Sequence, residues 1–228
     1  MPTCDIGHSV LRCRNVPRHY SILHESAEIM ELNPSTTAVV AIHMQGDIVT
    51  AAGAFGGFFA AQVEEGNVVA QVAALLTAAR ASGATSVYTR VAYAPDYSNL
   101  NANSPLLGMV AQFGCLAEGQ PNTEIIEALA PHTGDLVVTH QRVAGFSGSG
   151  LDADLRSRGV DTVVFCGVAT NASVEGTARQ ASDLGYRTIV VADACSTVSA
   201  EAHKASIGSL GLLAEIATVG DVVDALGA

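Results

Sequence analysis

The chain carries five short runs in which apolar residues follow one another almost without interruption, each bounded by turn or helix signals. They are residues 37–44 (TAVVAIHM), 86–92 (SVYTRVA), 135–140 (DLVVTH), 162–168 (TVVFCGV) and 187–194 (RTIVVADA). The first, fourth and fifth are apolar on successive positions instead of alternating. That pattern suits strands of a parallel sheet covered on both faces. Helical spacing fills the intervals: 62–81 (QVEEGNVVAQVAALLTAARA), stopped by Ser82-Gly83, then 151–158 and 172–184, with two more near 200–215 and 220–226. A short sixth strand is predicted around IATV, between the last two helices. Strands alternating with helices predict right-handed crossovers and one α/β domain, a three-layer αβα doubly wound, mostly parallel sheet of about six strands.

Two stretches lack such periodicity. Residues 1–33 read as an N-terminal extension, expected to be an arm packing on a neighbouring subunit, and the domain is placed at 34–228. Residues 93–121 are rich in Asn, Ser, Pro and Gly. A long loop inside a compact domain is more often functional than idle. It follows the second strand, so it is expected to cover a pocket beyond the strand ends.

Composition narrows the function. Of 228 residues, 49% are hydrophobic and 14% charged, which is ample for a large core. Net charge is −11 with no Lys/Arg cluster, which argues against a nucleic-acid partner. The five cysteines are odd in number and widely spaced, unlike a disulfide framework and in keeping with a reducing compartment. No apolar run approaches the roughly 18 residues of a membrane span, and no signal-peptide h-region is visible. The expectation is a cytoplasmic protein acting on a small molecule, without membrane or nucleic-acid partners.

Three polar residues stand at the C-terminal ends of buried strands: His43 in AIHMQGD, His140 in VVTHQR, and Ser173 just past FCGVATNAS. Strand ends of a parallel sheet converge on one crevice. Ser173 falls at a helix N-terminus, where unpaired backbone N–H groups can form an oxyanion hole, or where a serine simply caps the helix. A histidine can activate a serine hydroxyl if it lies within hydrogen-bond reach. His43, His140 and Asp47 are also of types that hold zinc or iron, but they lack a short metal-binding spacing. No cofactor and no metal are expected. Cys166 reads as a small buried hydrophobe.

The segment 167–195, GVATNASVEGTARQASDLGYRTIVVADAC, resembles the signature block of isochorismatase-like cysteine hydrolases, a superfamily that includes ureidoacrylate and N-carbamoylsarcosine amidohydrolases. AVVAIHMQGD resembles that family's first-strand motif, and HQRVAGFSGSGLDADLRSRGVD (140–161) resembles its lysine-bearing block. The likeness covers approximately residues 34–226. It implies an Asp–Lys–Cys triad, yet the matching positions here hold His43, His140 and Ser173. Gln45, Asp47, Arg142, Phe146, Asn171, Glu175, Arg179 and Asp193 keep the family's other motif residues. A non-proline cis peptide before the nucleophile turn is implied at Val168–Ala169, and a homo-oligomer (dimer or tetramer) is implied as the assembly.

The expected activity is hydrolysis of a C–N (amide or ureido) or ester bond of a small metabolite, with Ser173 as nucleophile and His43 as base. His140 serves as a second acid/base or as a hydrogen-bond donor. Ala169, Thr170, Asn171 and Ala172, with Gln45, Arg142 and Phe146, are expected to contact substrate or oxyanion. Residues 53–60, 93–121 and 142–150 are expected to set the pocket. The alternatives are a non-covalent acid/base enzyme (vinyl-ether hydrolysis, or a lyase or isomerase step) and a catalytically inactive ligand-binding member.

Overall fold

The computed structural model describes residues 30–227. The elements run β1 Thr37–Ile42, α1 Gly46–Val49, α2 Gly56–Glu65, α3 Val68–Ser82, β2 Thr85–Val91, α4 Pro105–Phe113, β3 Leu136–His140, α5 Leu151–Ser157, β4 Thr162–Val168, α6 Glu175–Asp183, β5 Arg187–Ser196, α7 Ala200–Leu210, β6 Glu215–Ala217 and α8 Val219–Leu226. All neighbouring strands are parallel, in the order β3-β2-β1-β4-β5-β6. The order reverses between β1 and β4. In a doubly wound sheet that reversal opens a crevice beyond the carboxyl ends of the strands.

The continuous apolar strands have the physical cause expected of them. On β1, Val39 and Ala41 face a layer formed with Val72, Leu75 and Leu76 of α3 and Val222 of α8. Ala38, Val40 and Ile42 face the opposite layer, with Leu151 and Leu155 of α5 and Ala178 of α6. Every residue of β1 and β4 is buried. Each fully buried aliphatic side chain contributes roughly 1.5–3 kcal/mol of transfer free energy.

Three expectations are corrected. The helix expected over 62–81 is two helices. The chain breaks at Gly66 and Asn67, where Asn67 takes a left-handed φ of 50°. Glycine is a poor helix former and asparagine tolerates that conformation. Residues 93–121 are not wholly irregular, because α4 lies inside them. Its start and stop signals are legible: Ser104 Oγ accepts the Leu107 N–H, Pro105 opens the helix, and Gly114 closes it at φ 61°. The helix expected over 200–215 stops at Leu210, and Glu215 instead pairs in β6, hydrogen-bonded along β5. The arm proposed for residues 1–33 lies almost wholly outside the described residues. Its last part is tied down, since Leu32 packs on the core and Arg187 Nη1 donates to the Glu31 carbonyl at 2.7 Å.

Two backbone features shape the crevice. Gly167 sits at φ 116° against β1, and a Cβ there would run into the Ile42 carbonyl oxygen. Only glycine suits that position. The pairing of β4 with β5 also slips at this point, so that Gly167 faces Cys195 while Phe165 faces Val190. The Val168–Ala169 peptide that follows is cis, as the resemblance implied.

Candidate active site

His43 is the first residue beyond β1. Its N–H donates to the Thr89 carbonyl of β2 at 3.0 Å, which continues the strand pairing, but its φ of 52° turns the chain out of the sheet. His140 is the last residue of β3. The parallel register sets Val91 of β2 opposite His140, so the two imidazoles converge over the end of β2. Their Nε2 atoms lie 2.9 Å apart, with ring centroids at 4.9 Å.

A hydrogen bond between two ring nitrogens needs one proton between them, so the two rings cannot both be cations. Burial pushes His43 well below the ordinary imidazole range, and the neighbouring His140 adds to the effect. Burial likewise pushes His140 down to about 4. At neutral pH the pair is therefore two neutral rings in complementary tautomers, one donating from Nε2 and the other accepting. His140 is fully buried and its Nδ1 has no hydrogen-bond partner among the described residues. It stands behind His43, which lines the cavity.

Ser173 reaches the same cavity from the other side of the crevice. After β4 the chain passes through one π-helical turn, Thr170–Val174, before α6 begins. The turn is held from several directions. The Ala169 carbonyl accepts both the Ala172 and the Val174 N–H at 3.1 Å. Thr177 Oγ1 donates to the Ser173 carbonyl and accepts the Gly145 N–H at 2.9 Å, which ties the turn to the 142–150 loop. Thr170 Oγ1 pairs with His203 Nδ1 of α7 at 2.9 Å, and Asn171 Oδ1 accepts from Thr197 at 2.6 Å. Ser173 is buried to 6% exposure, and its hydroxyl makes no hydrogen bond to His43 in this arrangement.

The cavity is partly enclosed and opens to solvent. The three stretches expected to shape it all contribute. Phe55 and Phe59 come from 53–60, Tyr93, Leu107 and Leu116 from 93–121, and Arg142 and Val143 from 142–150. Sequence reasoning missed Ile48, Val91 and Val168 as lining residues. All three sit on segments read only as scaffold, so no local signal marked them.

The expected substrate contacts divide. Ala169 and Ala172 line the cavity beside Ser173, and Arg142 lies on its rim. Because the Ala172 N–H is committed to the Ala169 carbonyl, it is not an oxyanion donor. Thr170 and Asn171 turn their side chains to α7 and Thr197, away from the cavity. Gln45 is fully buried: its Nε2 donates to the Val91 and Thr123 carbonyls, and its Oε1 accepts the Val91 N–H at 2.7 Å. It is a strut between β2 and the loop before β3, with no group left for substrate. Phe146 belongs to the opposite layer, where it stacks on Tyr186 at 5.9 Å. Asp47 accepts the Leu116 N–H at 2.9 Å, so its carboxylate braces the cavity wall. Among the described residues, no three His, Cys, Asp or Glu side chains gather around a common point. Cys166 is buried and bonds toward the Val40 carbonyl, with burial pushing its thiol well above the ordinary range.

Known proteins share both the sequence pattern and the fold. Residues 37–221 match the isochorismatase domain. The chain is 33% identical over 204 residues to the isochorismatase family protein YecD of Escherichia coli, covering 87% of this chain and all of that one. It is 31% identical to the ureidoacrylate amidohydrolase RutB of Methylobacterium radiotolerans, covering 83% and 78% of the two chains. A cysteine hydrolase structure from Pseudomonas syringae superposes with a TM-score of 0.79 at 30% identity, covering 87% of this chain and 95% of that one.

Proposed function

The chain belongs to the isochorismatase family, and from that premise we propose that it hydrolyses an amide, ureido or ester bond of a small molecule through Ser173, His43 and His140. The observation that carries this reading is the placement of His43. The side chain lines the cavity shared with Ser173, while its Nε2 is held by His140 at 2.9 Å. A serine hydroxyl is a poor nucleophile without a positioned base, and a base needs a partner that fixes its tautomer. His140 fills the orienting role that a carboxylate plays in a serine–histidine–aspartate site.

In the productive tautomer His140 Nε2 accepts the proton on His43 Nε2, which leaves the Nδ1 lone pair of His43 free for chemistry. Ser173 Oγ attacks the substrate carbonyl carbon as its proton passes to His43 Nδ1. The tetrahedral adduct collapses by returning that proton to the leaving nitrogen or oxygen. Water then adds to the acyl-serine by the same route, releasing the acid and restoring Ser173. Because both rings are buried, His43 rests neutral, with its Nδ1 lone pair available to take the proton.

The test is turnover against a panel of amides, ureido compounds and esters. Ser173→Ala is expected to lose at least about 10³-fold in kcat with its fold intact, and full activity in that variant would overturn the reading.

A second reading is favoured by one observation: the Ser173 hydroxyl is not hydrogen-bonded to His43. Here the histidine pair moves protons on a substrate without a covalent intermediate, as in vinyl-ether hydrolysis, and Ser173 only binds. It is marked by a His43→Ala variant that is inactive and a Ser173→Ala variant that keeps most of its turnover.

A further inference from the structure

The cavity wall is hydrocarbon apart from four side chains: His43, Ser173, Tyr93 and Arg142. The Tyr93 hydroxyl is spent on the Gln141 carbonyl at 3.0 Å, and burial pushes its phenol up to about 12. The two imidazole pKa values lie low, so at neutral pH the fixed charge on the wall is the Arg142 guanidinium.

Among the described residues, Arg142 and the exposed Arg158 are the arginines without a carboxylate partner, and of the two Arg142 lines the cavity. Arg80, Arg90, Arg156, Arg179 and Arg187 each meet a carboxylate within 3.4 Å. Arg142 meets none among the described residues. Its Nη1 donates to the Asn101 carbonyl at 3.2 Å and its Nη2 to Asn103 Oδ1 at 2.7 Å, both neutral acceptors. Those contacts hold the fork in place and use two of its five N–H groups, leaving donors for a planar partner. In a chain with a net charge of −11, an uncompensated cation held at the rim of an apolar cavity is a specific arrangement.

We infer that the cavity takes a monocarboxylate with an apolar body, the carboxylate held by the Arg142 fork and the body lying against Phe55, Phe59 and Leu107. One guanidinium and no lysine on the wall suit a monoanion. A phosphate dianion would call for a second cation, and a small polar amide would leave the aromatic wall uncovered. The inference deepens the proposed function and rests on the cavity being the substrate site, but it concerns recognition and does not depend on Ser173 being a nucleophile.

The experiment is calorimetric binding of 3-phenylpropanoate, its neutral counterpart 3-phenylpropan-1-ol, and acetate, none of which carries a bond for the enzyme to cut. The wild-type chain should bind 3-phenylpropanoate about tenfold more tightly than the alcohol, as expected for a charge-assisted bidentate contact, and more tightly than acetate. Arg142→Gln should erase the preference for the acid while leaving alcohol binding in place, and Arg142→Lys should restore only part of it. Phe59→Ala should weaken acid and alcohol alike. Equal affinity for acid and alcohol, a preference that persists in Arg142→Gln, or acetate binding as well as 3-phenylpropanoate would each overturn the inference. Because the probes carry no scissile bond, their binding is read independently of whether Ser173 forms a covalent intermediate. A failure of the covalent mechanism in turnover assays would thus be seen separately from a failure here.

Discussion

His43 Nε2 and His140 Nε2 share a hydrogen bond of 2.9 Å over the end of β2, though the two residues stand 97 positions apart in sequence. The ring that faces the cavity is therefore oriented by a second, fully buried ring. If that orientation serves the chemistry, His140→Ala should lower kcat by about 10²-fold or more with a smaller change in KM, since His140 does not reach the cavity. Steady-state kinetics of the variant, with circular dichroism to confirm the fold, checks this. An unchanged kcat would leave His140 a packing residue.

The buried rings also set a pH dependence. An unfolded histidine titrates near 6.5, whereas burial lowers His140 to about 4 and His43 well below its ordinary range. Between about pH 4 and 6.5 the unfolded chain therefore binds more protons than the folded one. Stability rises with pH across that window and levels off above it. Thermal unfolding from pH 4 to 8 should show the slope, and the slope should shrink in His140→Gln. The acid limb of kcat/KM should fall well below pH 6.5. A limb near pH 7 would mean that the base titrates as an exposed histidine does.

Gln45 separates a structural role from a substrate contact. Its amide closes three hydrogen bonds with the backbone of Val91 and Thr123, all of them buried. Gln45→Leu leaves those three groups unpaired and should cost about 3 kcal/mol or more, since each orphaned buried polar group costs about 1–3 kcal/mol. The expected outcome is a lower denaturation midpoint with kcat/KM nearly unchanged at low temperature. A large loss of kcat/KM in a variant of wild-type stability would return Gln45 to the substrate site.

Gly167 tests the backbone that sets the crevice. Gly167→Ala would force a Cβ into the Ile42 carbonyl at a left-handed φ of 116°. The variant should lose about 3 kcal/mol or more, or fail to fold, as judged by chemical denaturation. A midpoint within experimental error of wild type would contradict the geometry described for β1 and β4.

Much of this was legible in the chain. The apolar runs betray strands buried on two faces, and polar residues at the ends of β1 and β3 and beyond β4 mark the crevice, because a parallel sheet gathers those ends. The pairing of His43 with His140 was not legible, since it depends on register across β2 and on the left-handed turn at His43. Gln45 and Phe146 were expected at the substrate for a related reason. Motif membership places a residue near the site but does not say which layer its side chain enters, and Phe146 enters the layer of Tyr186. The helix α4 hid inside a segment whose composition reads as loop, although Ser104, Pro105 and Gly114 spell out its ends. Arg142 and the aromatic wall were found through the stretches that carry them, but the lack of a carboxylate partner for Arg142 is a property of three dimensions.

The central claim is that Ser173 forms the acyl-enzyme with His43 as its base, and intact-protein mass spectrometry tests it most directly. Treatment with a fluorophosphonate ester or a slowly turned-over activated ester should add one adduct mass, mapped to Ser173 by peptide analysis. The adduct should be absent in Ser173→Ala and form at least about 10²-fold more slowly in His43→Ala. An enzyme that turns over substrate at full rate yet never labels at Ser173, or labels equally fast without His43, would contradict the account.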